Sequence, residues 1–224
     1  TIENDSSIKA LVIDSAKKNI FIAGADIKEI EKLKDEKEVY EALMEVHEIF
    51  NKLENLQIPT IAYINGACMG GGLELALACK YRVLSTNEKT KLAFPEIKLG
   101  IFPGFAGTIR APKLIGLVNA LDLILTGKTI DAKKAYKIGL ADMIFDDAQK
   151  EFMLEGFIKK AIYGILKKRV GFHILNYAPL NEIIFNKALK GLEAKVNKDF
   201  KAPYKALEVI KATINKELED AIKI

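Results

Sequence analysis

The stretch from Ile58 to Cys79 constrains this chain more than any other. It carries the branched apolar run TIAYI at residues 60–64, which reads as a strand, and then a turn signal at Asn65-Gly66. Met69-Gly70-Gly71-Gly72 follows, immediately before the helix-forming run Leu73–Cys79. The order is strand, glycine-rich turn, helix. The stretch is long enough to cross a bilayer, but Pro59, Asn65, Glu74 and four glycines argue against a lipid-facing helix. Glycines ahead of a helix have two physical uses. They allow a tight strand-to-helix crossover, and they let a ligand approach the unpartnered N–H groups at the positive end of the helix dipole. The second use suits an anion or a developing oxyanion. The glycines alone leave both open.

The rest of the first two thirds alternates between short apolar pieces and helical periodicity. Ile8–Asp14 (IKALVID) predicts a buried strand, and Phe21-Ile22 a second short one that ends at Ala23-Gly24-Ala25-Asp26. Lys37–Leu56 places Val39, Leu43, Val46, Phe50 and Leu53 at three- and four-residue steps, the signature of an amphipathic helix. Tyr81–Leu84 and Lys91–Phe94 predict short strands around a polar turn. A loop punctuated by Pro95, Gly100, Pro103, Gly104 and Gly107 comes next. Gly116–Leu125 and Asp131–Ile138 read as helices, the second capped by Asp131, and Met143–Phe145 as a weak strand. From Glu151 onward the pattern is helical, broken near Pro179 and Pro203. Strands alternating with helices and then a helical tail predict an α/β fold. The expected organisation is a core over residues 1–150 and a helical C-terminal region over 151–224 that ends in a linker helix.

Composition excludes several classes. Half of the 224 residues are hydrophobic and 29% are charged, an ordinary globular balance with enough chain to bury a core. Cys68 and Cys79 are the only cysteines and sit on apolar stretches, so no disulfide scaffold or zinc motif is present, and buried thiols in a reducing compartment are expected. Net charge is +4, with 20 basic and 21 acidic residues over 1–150 against 14 and 9 over 151–224. That excess suits a solvated surface or a phosphate-bearing ligand and falls short of a nucleic-acid groove. The N-terminus has no basic start followed by an apolar stretch. His47 and His173 have no partner motif and read as structural or surface residues.

Two glutamates carry the chemical interest. Glu74 lies about one turn into the helix, among Leu73, Leu75, Ala76 and Leu77. It can face solvent, complement the helix dipole, or present a carboxylate beside the glycine turn for proton transfer. Glu96 sits in a Pro-Glu pair ahead of the Gly/Pro loop. Two carboxyls in one apolar cleft would form an acid/base pair with raised pKa values. Spacing alone does not show that they meet. Phe102 and Phe105 suit an acyl pocket and core packing equally.

Three segments in order, FIAGADIKEI, IPTIAYINGACMGGGLELALACKYRV and PEIKLGIFPGFAGTIR, closely resemble the crotonase (enoyl-CoA hydratase/isomerase) superfamily, over most of the chain. The resemblance is nearest to the N-terminal hydratase/isomerase domain of the multifunctional fatty-acid β-oxidation enzyme, α subunit type. The 22-residue interval from Glu74 to Glu96, the longer turn STNEKTKLAFPE and the tail YKALEVIKATINKELEDAIK favour that branch. The resemblance implies a crotonase-like spiral of repeated ββα units, with the family's first strands missing.

The implied activity is hydration of trans-2-enoyl-CoA to (S)-3-hydroxyacyl-CoA, with Δ3/Δ2-enoyl-CoA isomerisation by the same pair. Glu74 would activate water and Glu96 would deliver a proton to C2. The N–H groups of Ala25 and Gly71 would form the oxyanion hole for the thioester. Backbone at Ala23, Gly24, Ala25 and Asp26 would line the CoA channel, Lys28 would meet a CoA phosphate, and the Gly104 N–H would hold the water or product hydroxyl. No metal and no redox cofactor is implied; NAD would belong to a dehydrogenase half, for which this chain carries no GxGxxG fingerprint. Implied partners are the acyl-CoA substrate and either further copies of the chain or a thiolase subunit, without nucleic acid or membrane span, in the cytoplasm or a mitochondrial matrix. Retention of both glutamates disfavours one alternative, another crotonase-type acyl-CoA enzyme such as an isomerase only; the other, a non-catalytic acyl-CoA- or RNA-binding relative, calls for a denser basic surface than this sequence carries. The sequence departs from the family at Ala106, where glycine is common, and at Ala111-Pro112-Lys113 in place of Leu-Pro-Arg.

Overall fold

Over the first six strands, consecutive strands go to different sheets, and this alternation organises the molecule. A computed structural model describes residues 2, 5–24, 32, 34–166 and 173–223 of the chain. Strands β1 (Leu11–Ile13), β3 (Thr60–Ile64), β5 (Tyr81–Ser85) and β8 (Met143–Phe145) form one parallel sheet in that order. Strands β2 (Ile20–Ile22), β4 (Ala67–Met69), β6 (Lys91–Ala93) and β7 (Ile130–Asp131) form the second. In it the first three strands run parallel and β7 antiparallel. Helix α1 (Glu36–Asn55) follows β2, and α2 (Gly71–Ala78) follows β4. Two strands and a helix therefore make one turn of a spiral, and each turn adds one strand to each sheet.

The helical content rises after β6. A 3₁₀ turn, Pro95–Leu99, leads to α3 (Gly107–Ile115) and α4 (Leu117–Thr126). Helices α5 (Ala132–Lys137), α6 (Lys150–Ile162), α7 (Leu180–Lys195), α8 (Ala202–Thr213) and α9 (Leu218–Ala221) complete the chain. The α/β class and the helical C-terminal region agree with the sequence pattern. So does the expected cap: Asp131 Oδ1 accepts from the Lys134 N–H, starting α5, and the structure adds Asp35, whose Oδ1 accepts from the Glu38 N–H, starting α1.

Local expectations differ from the structure in four places, the first being Ile8–Asp14, expected as a buried strand, of which only Leu11–Ile13 is strand, and only half-buried, at the edge of its sheet. Between Gly66 and the glycine turn the chain forms β4, only three residues long, too short to show alternation. Strands β5 and β6 flank one polar turn yet lie in separate sheets. Gly107–Ile115, unassigned by periodicity, is a helix with Pro112 inside it. A proline there removes one helical hydrogen bond and reads as a breaker.

Strand β3 is buried along its whole length, as a central parallel strand covered on both faces should be. Ile61, Tyr63 and Val83 pack on one side against Phe145 and, from α6, Phe157 and Ala161. Ala62, Ile64 and Leu84 face the main core with Leu73, Leu77, Leu117 and Ile124. Phe185 of α7 and Ile210 of α8 belong to that same core, so the helices beyond residue 150 help to bury the sheet. Each large apolar side chain so buried contributes about 1.5–3 kcal/mol. The end of α2 is tied down by Arg82, which is 2% exposed. Its Nη1 donates to the carbonyls of Ala76 (3.2 Å) and Cys79 (2.7 Å), its Nε to Leu140 (2.9 Å), and its Nη2 to Asp142 Oδ2 (3.1 Å). The orphan carbonyls of a helix end thereby find a buried cation. Cys68 and Cys79 are buried free thiols. Among the described residues no helix is long and apolar enough to cross a membrane.

Candidate active site

The three parallel strands of the second sheet end at one edge, and each passes into one of the three segments singled out by sequence. β2 leads to Ala23 and Gly24, β4 to Gly70 and Gly71, and β6 to Phe94, Pro95 and Glu96. Their register, with Cys68 opposite Leu92 and Met69 opposite Ala93, fixes the distance between the glycine turn and the Pro-Glu turn. Gly24, at φ +120°, lies against the end of β4: a Cβ there would stand 3.7 Å from the Met69 carbonyl oxygen. Ala25, Asp26 and Lys28 lie outside the described residues.

Gly70 caps α2 with φ +52°, ψ −123°, a conformation reserved in practice for glycine. Its carbonyl accepts from the Leu73 N–H (2.8 Å) and the Glu74 N–H (3.0 Å). Gly71 is the first helical residue, so its N–H has no acceptor one turn back. Gly72 lets α2 press on β2, since a Cβ would lie 2.5 Å from the Ile22 carbonyl oxygen. Tight crossover and open helix end are thus both present, at adjacent glycines.

Glu74 projects from the first turn of α2 and is 2% exposed. Its Oε1 accepts from two backbone N–H groups, Phe105 and Gly107, each at 2.7 Å. Between them Ala106 takes a left-handed conformation, φ 69°, ψ 19°. This turn makes the two flanking N–H groups converge into an anion cradle. Burial still dominates and pushes the Glu74 carboxyl up to about 8, with the charge of Glu96 adding to the rise, while the cradle and Arg110 oppose it. Glu96 is also raised by burial, to about 7. Its Oε1 would be 2.6 Å from a Cβ on Gly70, so the carboxyl rests directly against the glycine turn. Glu96 Oε2 is buried without a hydrogen-bond partner among the described residues. The solvent-facing alternative for Glu74 is therefore excluded, and the two acids are brought to one place.

Gly104 lies one residue before the cradle, facing Leu43 of α1 across 3.4 Å from its Cβ position. Phe105 packs edge-on against Phe50 of α1, ring centroids 6.0 Å apart, and Phe102 lies against the main core. His47 of α1 is buried, and burial together with Arg110 lowers its pKa. His173 bonds the Leu114 carbonyl oxygen at 3.0 Å. Sequence reasoning missed the Phe105–Gly107 cradle and the side chain of Arg110. The signal for the cradle was the Gly-Phe-Ala-Gly spacing around Ala106. Arg110 left no local signal, because its side-chain partners Glu54 and Asn51 come from α1, 56 and 59 residues away.

Comparison with known proteins gives this arrangement a family. Residues 1–177 match the family described as Enoyl-CoA hydratase/isomerase. The chain belongs to that family. The fatty acid oxidation complex subunit alpha of Shewanella frigidimarina is 38% identical over 229 aligned positions, and that of Shewanella baltica 39%. Each alignment takes in all of this chain and 32% of the relative, so the chain spans about a third of the length of these relatives. Among solved structures, an enoyl-CoA hydratase from Bacillus anthracis superposes with a TM-score of 0.66 at 27% identity, covering 95% of this chain and 75% of the other. One from Thermoplasma volcanium gives 0.64 at 25% identity, covering 99% and 80%. The spiral of ββα turns is the crotonase fold these family members share.

Proposed function

We propose that the chain hydrates trans-2-enoyl-CoA thioesters to (S)-3-hydroxyacyl-CoA in fatty-acid β-oxidation, and moves the double bond between the Δ3 and Δ2 positions with the same two acids. One observation carries the reading: a buried glutamate and a half-buried one, with pKa values raised to about 8 and about 7, stand at the mouth of one glycine turn. Near neutral pH the pair carries between one and two protons, Glu74 holding its own the more tightly, and the reactive form is the singly protonated one with Glu74 ionised and the proton on Glu96.

The steps follow from that geometry. The thioester oxygen would sit over the N–H of Gly71; the second donor implied by the family resemblance, the N–H of Ala25, lies outside the described residues. As electron density moves from the double bond to that oxygen, these donors stabilise the enolate, and losing one would cost about 3 kcal/mol of barrier. Glu74, its Oε1 held by the cradle, takes a proton from water with its other oxygen while the water oxygen bonds to C3. Glu96 gives its proton to C2 as the enolate collapses. Proton exchange between the two carboxyls resets them. Isomerisation needs only that one acid remove a proton from C4 and return it to C2. Ala23, Gly24, Asp26 and Lys28 would hold the CoA portion, and Gly104 the water or product hydroxyl. No step calls on a metal or a redox cofactor. The relatives named as complex subunits support an assembly with other subunits; the assembly proposed is one in the cytoplasm with a thiolase partner or with further copies of the chain.

The test is loss of enoyl absorbance from crotonyl-CoA and a longer enoyl-CoA. Glu74→Gln and Glu96→Gln should each lower turnover by about 10²–10⁴-fold while thioester binding persists. Normal turnover in either variant would refute the mechanism.

A further inference from the structure

Arg110 occupies the first turn of α3 and is 5% exposed, an unusual place for a cation unless it holds something. Its three donor groups go to three acceptors. Nη1 donates to the Phe105 carbonyl oxygen at 3.1 Å, Nε to Glu54 Oε2 at 2.9 Å, and Nη2 to Asn51 Oδ1 at 2.9 Å. Phe105 is also the residue whose N–H, with that of Gly107, binds Glu74 Oε1. The guanidinium thus joins the turn that cradles Glu74 to α1, while Phe50 of α1 holds the Phe105 ring from the side. A planar fork can satisfy three fixed acceptors; an ammonium on a flexible stem cannot.

We propose that Arg110 is a positioning residue for Glu74: anchored by Glu54 and Asn51, it fixes the Phe105–Gly107 cradle and supplies the positive charge behind the carboxylate. This rests on the hydratase reading for its catalytic meaning, though not for its geometry. Arg110 touches neither Glu74 nor the glycine turn by hydrogen bond, so it acts through the cradle. The charged groups facing Glu74 among the described residues are Glu96, from the turn after β6, and Arg110, from α3. Behind Arg110 stand Glu54 and His47 of α1. Arg110 favours the ionised form of Glu74, and Glu96 disfavours it.

The experiment titrates Glu74 directly. With ¹³C at the glutamate side-chain carboxyls, its NMR signal is identified as the one lost in Glu74→Gln. Arg110→Gln should move its midpoint up by about one pH unit, because an opposing charge leaves. Glu54→Gln, which keeps the guanidinium and removes a negative charge beside it, should move it down. A residue that merely supports the fold would lower thermal stability without opposite displacements, and that result overturns the inference. If Arg110→Gln fails to fold, Glu54→Gln decides: a midpoint that stays put or rises overturns it. In crotonyl-CoA kinetics Arg110→Gln should lower kcat at least about tenfold with KM changed less than about threefold. If the unmodified protein shows no hydration at all, the proposed function falls, and the NMR titration still tests the role of Arg110.

Discussion

Replacing Gly70 by alanine should damage stability and chemistry through two separable causes. The first is the backbone. At φ +52°, ψ −123° a residue with a Cβ is strained by about 1–3 kcal/mol. For a chain of this length each kcal/mol lowers Tm by about 2–4 °C, so the expected loss is about 2–12 °C. The second is Glu96. The new Cβ would lie 2.6 Å from Oε1 and 3.1 Å from Cδ of that side chain. To recover an ordinary contact at 3.4 Å, Oε1 must retreat by about 0.8 Å. Retreat is feasible for the end of a flexible side chain, so the fold survives, but the acid leaves its working position. A displacement near 1 Å at a reacting group lowers turnover by about 10²-fold. Thermal melts by circular dichroism measure the first effect and crotonyl-CoA hydration the second. Placing Gly70→Ala in a Glu96→Gln background supplies the control: with the acid already lost, the added alanine should cost no more than about threefold further in kcat, while the drop in Tm persists. Full turnover in Gly70→Ala, or a full additional 10²-fold loss in the double variant, would refute the placement of Glu96 against the glycine turn.

Two further outcomes follow from buried charge. Arg82→Met leaves Asp142 and the carbonyls at the end of α2 without their cation; breaking such a pair costs about 3–5 kcal/mol, read as a lower urea midpoint with unchanged m-value. Glu74 is raised from 4.5 to about 8 on folding, so between those pH values the folded state binds more protons than the unfolded one, and stability falls as pH rises through that window. Glu74→Gln removes this loss: its stability advantage over the unmodified chain should grow from about pH 4.5 to about pH 8 and then level off, and an advantage that shrinks over that range would contradict the assignment.

Elements with strong periodicity were legible in the residues. Helix α1 follows from apolar residues at helical spacing, strand β3 from a branched run between a proline and an Asn-Gly pair, and α5 from its capping aspartate. Elements fixed by tertiary context were not. β4 has three residues and exists because β2 and β6 pair with both its edges. Helix α3 hides behind Gly107 and Pro112, each of which reads locally as a break. The same division holds at the candidate site. The leucine and alanine neighbours of Glu74 left both a solvent-facing and an inward carboxylate open, and only the packing of α2 decides for burial. Its approach to Glu96 depends on the parallel register of β4 and β6, which no spacing encodes. The cradle depends on a left-handed Ala106, a conformation that the flanking glycines hint at but that the alanine itself disfavours.

The spiral has a consequence for how such a site changes over time. Under the proposed function, each coil of the chain would donate one tip to the reactive cleft: one for the thioester oxygen and its carrier, one for an acid on a helix, one for a second acid. Because such tips hang from a common frame without belonging to it, a single tip could be lengthened, re-aimed or stripped of its acid while the other two would keep their grip on the same activated acyl group. New reactions on old substrates are then reachable by local edits, with the frame left intact.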